Sequence, residues 1–206
     1  MEADGLVTAA LSLWQPWPMI MCPPHGSKPT VTKWIETRPG PPAGAMAQGT
    51  GSRQMPGARL ERGERIYLHA GNRSMGSEEQ NLYAESFELQ QTDLGARRPR
   101  LAFGALIGSI VVDDALPIFS NMDDWAEASA PEAIVLVSED RLVWMRNDQV
   151  QVRDVSDQLP LGWFRTGRWA WLCSAPVPLA RPYPLRGRQG VFRLTDEAIA
   201  DLNPGR

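Results

Sequence analysis

Lys33-Trp34-Ile35-Glu36-Thr37-Arg38 sets two cations and a carboxylate inside a segment whose other residues read as a buried strand, so the charges need partners. Strand alternation puts Val31, Lys33, Ile35 and Thr37 on one face and Thr32, Trp34, Glu36 and Arg38 on the other. Glu36 and Arg38 then share a face with Trp34, and Lys33 joins them only if the strand starts after it or carries a bulge. Local composition alone favours an exposed edge strand with a solvated ion pair. A charge cluster that builds a site is the competing expectation.

The flanking sequence supplies the strands such a segment would pair with. Residues 6–13 read as a first strand, closed by Trp14-Gln15-Pro16-Trp17, where Pro16 is suited to open a short helix carrying Trp17, Met19, Ile20 and Met21. Residues 65–70 read as a buried strand, and residues 101–112, small, apolar and β-branched, as the main core strand. Glu78–Gln91 reads as a weakly amphipathic helix, and Ser120 with Asp123 as a second helix start. Residues 134–155 read as two or three short strands about the turns Ser138-Glu139-Asp140 and Arg146-Asn147-Asp148. Residues 168–174 alternate so that Trp169 and Trp171 share a face, followed by a proline-rich crossing. The turn Arg186–Gly190 leads to a last strand, and Thr195 caps a final helix. Many strands with few helices predict an α+β, mainly β fold: a small β-barrel or sandwich with peripheral short helices and long loops.

Composition bounds the function. The 206 residues fit one domain, 1–206, with a Gly/Pro-rich flexible loop over 39–63 and a candidate insertion over 120–160. Twenty-one Lys and Arg against 24 Asp and Glu give a net charge of −3, which argues against a general polyanion binder and requires any nucleic-acid contact to use a local patch. The best such patch is Arg181, Arg186, Arg188 and Arg193, a run without acidic residues. Two cysteines are too few for a disulfide framework, and no leader-like or membrane-spanning apolar run is read, so a cytoplasmic setting without membrane contact is expected. Cys22 and His25 have the spacing of a metal half-site, but Pro23-Pro24 stiffens the link and completing ligands are scarce, so neither metal nor cofactor is expected. No Ser-His-Asp set, phosphate-binding glycine loop or solenoid repeat can be defended.

Four stretches together resemble the ASCH domain family (activating signal cointegrator homology) of the PUA-like superfamily. They are Leu11-Ser12-Leu13-Trp14-Gln15-Pro16-Trp17; Lys33 to Arg38; Tyr67-Leu68-His69-Ala70 followed by Gly108-Ser109-Ile110-Val111-Val112; and Gly167-Arg168-Trp169-Ala170-Trp171 with Gly187-Arg188-Gln189-Gly190. The Lys33, Glu36, Arg38 spacing matches the family's signature. The resemblance implies a PUA-like β-barrel with a cleft beside that signature, in a family thought to bind RNA or modified nucleosides. Two departures are evident. Val31 stands where the family commonly has glycine, with Gly26 and Lys28 earlier, and Glu36 stands where relatives that deacetylate acetylcytidine carry a threonine nucleophile.

These residues define three expectations. In a binding module, Lys33 and Arg38 hold a phosphate or carbonyl and Glu36 accepts from an exocyclic amine, with Trp14, Gln15, Trp17, His69, Arg186 and Arg188 as further ligand contacts. In a hydrolase acting on a modified nucleoside or RNA, Glu36 is the general base and Lys33 the electrophilic group. In a structural interaction domain, the same charges only brace the fold. The sequence leaves oligomeric state open.

Overall fold

The computed structural model describes residues 6–27, 29, 32–39, 60, 62–86, 101–146 and 153–203. Most of the loop expected over 39–63, together with Lys28, Val31, residues 87–91 of the expected helix and the turn beyond Arg146, lies outside them.

The elements, in chain order, are β1 (Ala9–Leu13), α1 (Trp17–Met21), β2 (Ile35–Arg38), β3 (Glu64–Ala70), α2 (Ser77–Ser86), β4 (Ala105–Phe119), α3 (Met122–Ala128), β5 (Glu132–Ser138), β6 (Arg141–Arg146), β7 (Arg153–Asp154), a 3-10 helix (Ser156–Leu161), β8 (Trp169–Pro184), β9 (Val191–Arg193) and α4 (Asp196–Leu202). The fold is α+β and mainly β, with nine strands in one open sheet. One path through it runs β9, β1, β3, β4, β8, β2; at Ile118 and Phe119 the far end of β4 instead pairs β5, which continues to β6 and β7. Among the described residues no helix is long and apolar enough to cross a membrane.

Alternation explains how the sheet is covered. Leu11 and Leu13 of β1 and Ile66, Leu68 and Ala70 of β3 join Met19 and Met21 of α1 and Trp171 and Cys173 of β8 in the principal core. On the opposite face, Ala10, Tyr67 and Leu106 pack with Phe192 of β9, Ala198 of α4 and Leu194 between them. A third cluster gathers Ile35, Leu116, Ile118, Leu142, Phe164 and Leu172. Gly108 is required here by close approach: a Cβ would come 2.4 Å from Cys22 Sγ and 2.8 Å from the Val177 carbonyl.

Several boundaries differ from expectation. The strand expected over 101–112 starts and ends later because β8 supports it along its length to Pro117. The proline-rich stretch after Ser174 is not a separate crossing but part of β8, paired through register shifts that absorb the missing donors. Asn121, not Ser120, caps α3, its side chain accepting from the Asp124 amide at 2.8 Å, while the Ser120 hydroxyl accepts from Thr166. Thr195 caps α4 as expected.

Candidate functional site

The signature segment is neither exposed nor solvated. β2 begins only at Ile35, and it pairs antiparallel with β8 so that Glu36 faces Trp171 and Arg38 faces Trp169 across the ladder. Opposed residues share a face, so Glu36 and Arg38 lie with the two tryptophans. Trp34 precedes the regular alternation and packs instead into the Ile35 cluster, contrary to the face assignment drawn from an idealised strand. The same late start frees Lys33 to turn back toward Glu36.

Lys33 is 3% exposed and Glu36 6%, which excludes the solvated ion pair that local composition favoured. Lys33 Nζ lies 3.0 Å from Glu36 Oε2, donates to the Leu161 carbonyl and sits 4.5 Å from the centre of the Trp17 ring. Arg38 Nε faces Glu36 Oε1 at 3.4 Å, and its Nη2 donates to the Ser12 carbonyl at 3.1 Å. The carboxylate is therefore held between two cations that come from its own segment. Charge proximity is not matched by hydrogen bonding: Glu36 Oε2, Arg38 Nε and Gln15 Oε1 are buried without an aligned partner among the described residues.

The cluster continues across the sheet at Ser12. Its carbonyl takes Arg38, while its hydroxyl lies 2.7 Å from His69 Nδ1, on the face opposite Leu11 and Leu68. His69 Nε2 lies 2.9 Å from the Leu185 carbonyl, which can only accept, so the neutral ring carries its proton on Nε2 and takes the Ser12 hydroxyl at Nδ1. Burial pushes the imidazole below its ordinary range, partly offset by the Leu185 bond. Gly187 packs on the ring so closely that a Cβ would lie 2.1 Å from Cε1, and Gly190 accepts from the Ser12 amide at 2.9 Å. The turn bearing exposed Arg186 and Arg188 is thereby fixed over Ser12 and His69.

Of the remaining expected contacts, Trp17 is half-buried beneath Lys33 and Gln15 is buried, donating to the Ala102 carbonyl at 2.6 Å. Trp14 is 54% exposed, with the Arg73 guanidinium 4.2 Å from its ring centre. A groove of about 540 Å³ lies between α1 and the proline-rich half of β8, lined by Met19, Cys22, His25, Phe103, Ile107 and Pro182 among others. None of Lys33, Glu36 and Arg38 lines it.

Sequence reasoning missed the partners that come from residues 156–168. Gln158, fully buried, accepts from the Trp34 and Ile35 amides at 3.0 and 3.2 Å and donates to the Thr32 carbonyl, covering the start of β2 in place of a strand. Trp163 donates its amide to Thr37 Oγ1 at 3.0 Å, and Arg168 Nη2 donates to the Thr37 carbonyl at 2.8 Å. Burial and neighbouring Arg165 push the Arg168 guanidinium down, and Glu36 pulls it back up. One signal was available for this loop: adjacent Trp163 and Phe164 cannot both be buried readily in irregular chain, and only Phe164 is. For Gln158 and Ser12 there was none, because their roles depend on residues more than fifty positions away.

No protein-family model matches this chain, and no curated protein matches it.

Proposed function

We propose that this chain is a PUA-like barrel of the ASCH type that binds RNA or a modified nucleoside beside Lys33, Glu36 and Arg38. The observation that supports it best is a buried charge cluster with spare hydrogen-bonding capacity. Among the described residues Gln15 Oε1 has no hydrogen-bond partner, and Glu36 Oε2 and Arg38 Nε have ion-pair contacts at 3.0 and 3.4 Å without an aligned bond. Buried polar atoms are rarely left so. A base edge offers the complementary donors and acceptors, and Arg38, whose side chain is 20% exposed, connects the cluster to the surface. The test is a binding titration of wild type, Arg38→Ala and Glu36→Gln against acetylated and other modified nucleosides and short RNAs, with product analysis. Weakened binding in both folded variants supports the reading; affinity equal to wild type in both sinks it.

A second reading, a hydrolase of the same ligands, is favoured by one specific observation. Ser12 is hydrogen-bonded to a histidine whose other nitrogen is oriented by a carbonyl, the relation a nucleophile needs to its base. Lys33 Nζ is already engaged by the Leu161 carbonyl and Glu36, so the electrophilic role assigned to it requires that contact to open. Conversion of a nucleoside by wild type but not by Glu36→Gln or Ser12→Ala decides for this reading.

A further inference from the structure

Residues 161–168 carry a feature that the signature does not absorb. Trp163 is 66% exposed, more than any other large hydrophobic side chain among the described residues. Exposed aromatic residues on loose loops are common and mean little. This one is mounted. Lys33 holds the Leu161 carbonyl, and the Trp163 amide is bonded to Thr37 Oγ1. Gly162 lies so close to Thr37 that a Cβ would come 2.9 Å from its Cγ2, and Phe164 is buried in the core beneath. Arg168 closes the loop onto the Thr37 carbonyl. Most anchors of the loop thus fall on the signature segment or the core under it, and Thr166 ties its far end to Ser120 and Asp124.

The ring is flanked by cations. The guanidinium carbons of Arg165 and Arg168 lie over the ring, 5.1 and 5.5 Å from its centre, and the residue as a whole stays 66% exposed. Arg38 is the next residue after Thr37 on the same strand. A largely exposed indole with two guanidiniums over it, a local cationic patch in a chain whose net charge is −3, complements a base that carries a phosphate.

We propose that Trp163, Arg165 and Arg168 form a stacking subsite for a neighbouring nucleotide, so that the ligand is a single-stranded oligonucleotide rather than a free nucleoside. This rests on the reading above, which places one nucleotide beside Arg38. Trp163 stacks the adjoining base, and Arg165 and Arg168 contact the phosphate.

The test uses the full chain and fluorescein-labelled decamers of U and A in anisotropy titrations, with the matching mononucleotides as competitors. The variants are Trp163→Ala, Trp163→Phe, Arg165→Ala and Arg38→Ala. Trp163→Ala is expected to weaken decamer binding by about 5- to 150-fold while leaving mononucleotide competition unchanged, and Trp163→Phe to restore most of the loss. Arg165→Ala should lower the slope of log affinity against log salt by about 0.7, one single-strand phosphate contact; it keeps the test decisive if Trp163→Ala fails to fold. Decamer affinity unchanged in Trp163→Ala, with Arg38→Ala weakened, overturns the subsite and leaves the parent reading standing. The converse, loss in Trp163→Ala with Arg38→Ala unaffected, keeps the subsite and sinks the parent reading. No decamer binding by wild type overturns the subsite, and the nucleoside titration above then decides the parent reading by itself.

Discussion

Replacing Lys33 by Met removes one partner from a buried pair, and the structure sets the size of the effect. The amine is 3% exposed, so no bulk water is waiting to solvate what remains. Among the described residues Glu36 would keep Arg38 as its ion pair, at 3.4 Å and without an aligned bond, with Arg168 farther off, and the Leu161 carbonyl would lose its donor. Stranding a buried charge costs about 3 to 5 kcal/mol, and the orphaned carbonyl falls within the same loss, so about 4 kcal/mol is expected. For a chain of this size that lowers Tm by about 8 to 16 °C. Glu36→Gln strands the amine instead and should cost about 3 kcal/mol. The double variant strands neither charge of that pair and leaves Arg38, part exposed and still bonded to the Ser12 carbonyl, without its carboxylate; its loss should approach that of the missing Leu161 bond with this smaller cost, about 2 to 3 kcal/mol, well below the sum of the singles. The assay is urea unfolding followed by far-UV circular dichroism and by the fluorescence of the eight tryptophans, with m-values held equal across the cycle. A Lys33→Met cost under about 1 kcal/mol, or single losses that add within about 0.5 kcal/mol, would refute the buried-pair reasoning.

Two further outcomes are expected. His69 has its folded pKa below the unfolded value of about 6.5, so the unfolded chain takes up a proton that the native chain declines. Stability should therefore be flat above about pH 7.5 and fall as pH drops through 6.5, by at most about 1.4 kcal/mol per pH unit for one proton; Tm measured from pH 5.5 to 8 should lose this slope in His69→Gln, and an unchanged slope contradicts the assignment. Both cysteines are buried; burial pushes the Cys22 thiol up to about 11, and burial with the nearby Glu36 pushes Cys173 up as well. Native protein at pH 8 should react slowly with a disulfide reagent and release two equivalents on adding urea, whereas rapid labelling without urea would contradict the packing of Cys22 against Gly108.

What the sequence disclosed followed from local rules. Period-two alternation placed Trp169 with Trp171 and Glu36 with Arg38, and cap chemistry placed Thr195, because each depends on neighbours within a few residues. Burial of the charges was not legible. A carboxylate between two cations reads the same on a wet edge strand as in a core, and the residues that exclude water from it, Trp17, Leu161, Trp169 and Trp171, arrive from distant parts of the chain. The Ser12 and His69 contact was hidden for the same reason: parallel pairing of β1 with β3 makes it, and no local pattern announces a parallel register. The prolines of β8 misled because an isolated proline rule cannot see the partner β4, whose register shifts accommodate them.

The depth of Lys33 and Glu36 bears on how bracing and binding relate. Residues 3% and 6% exposed cannot be the landing surface of a polymer, yet their contacts lead to two exposed cationic loops. Toward β8, Lys33 holds Leu161 and Thr37 holds Trp163, setting Arg165 and Arg168. Toward β1, Arg38 holds Ser12, Ser12 holds His69, and Gly187 and Gly190 seat the turn of Arg186 and Arg188 on that pair. A cluster used only as a brace would gain nothing from spare acceptors, since apolar residues of similar volume brace at least as well. Its retained polarity and its position between the two loops are both accounted for if it fixes their spacing while offering one polar edge to a bound base. The Lys33→Met, Glu36→Gln pair separates the roles: stability regained in the double variant without recovery of RNA affinity assigns the charges to the ligand, and recovery of both assigns them to the frame.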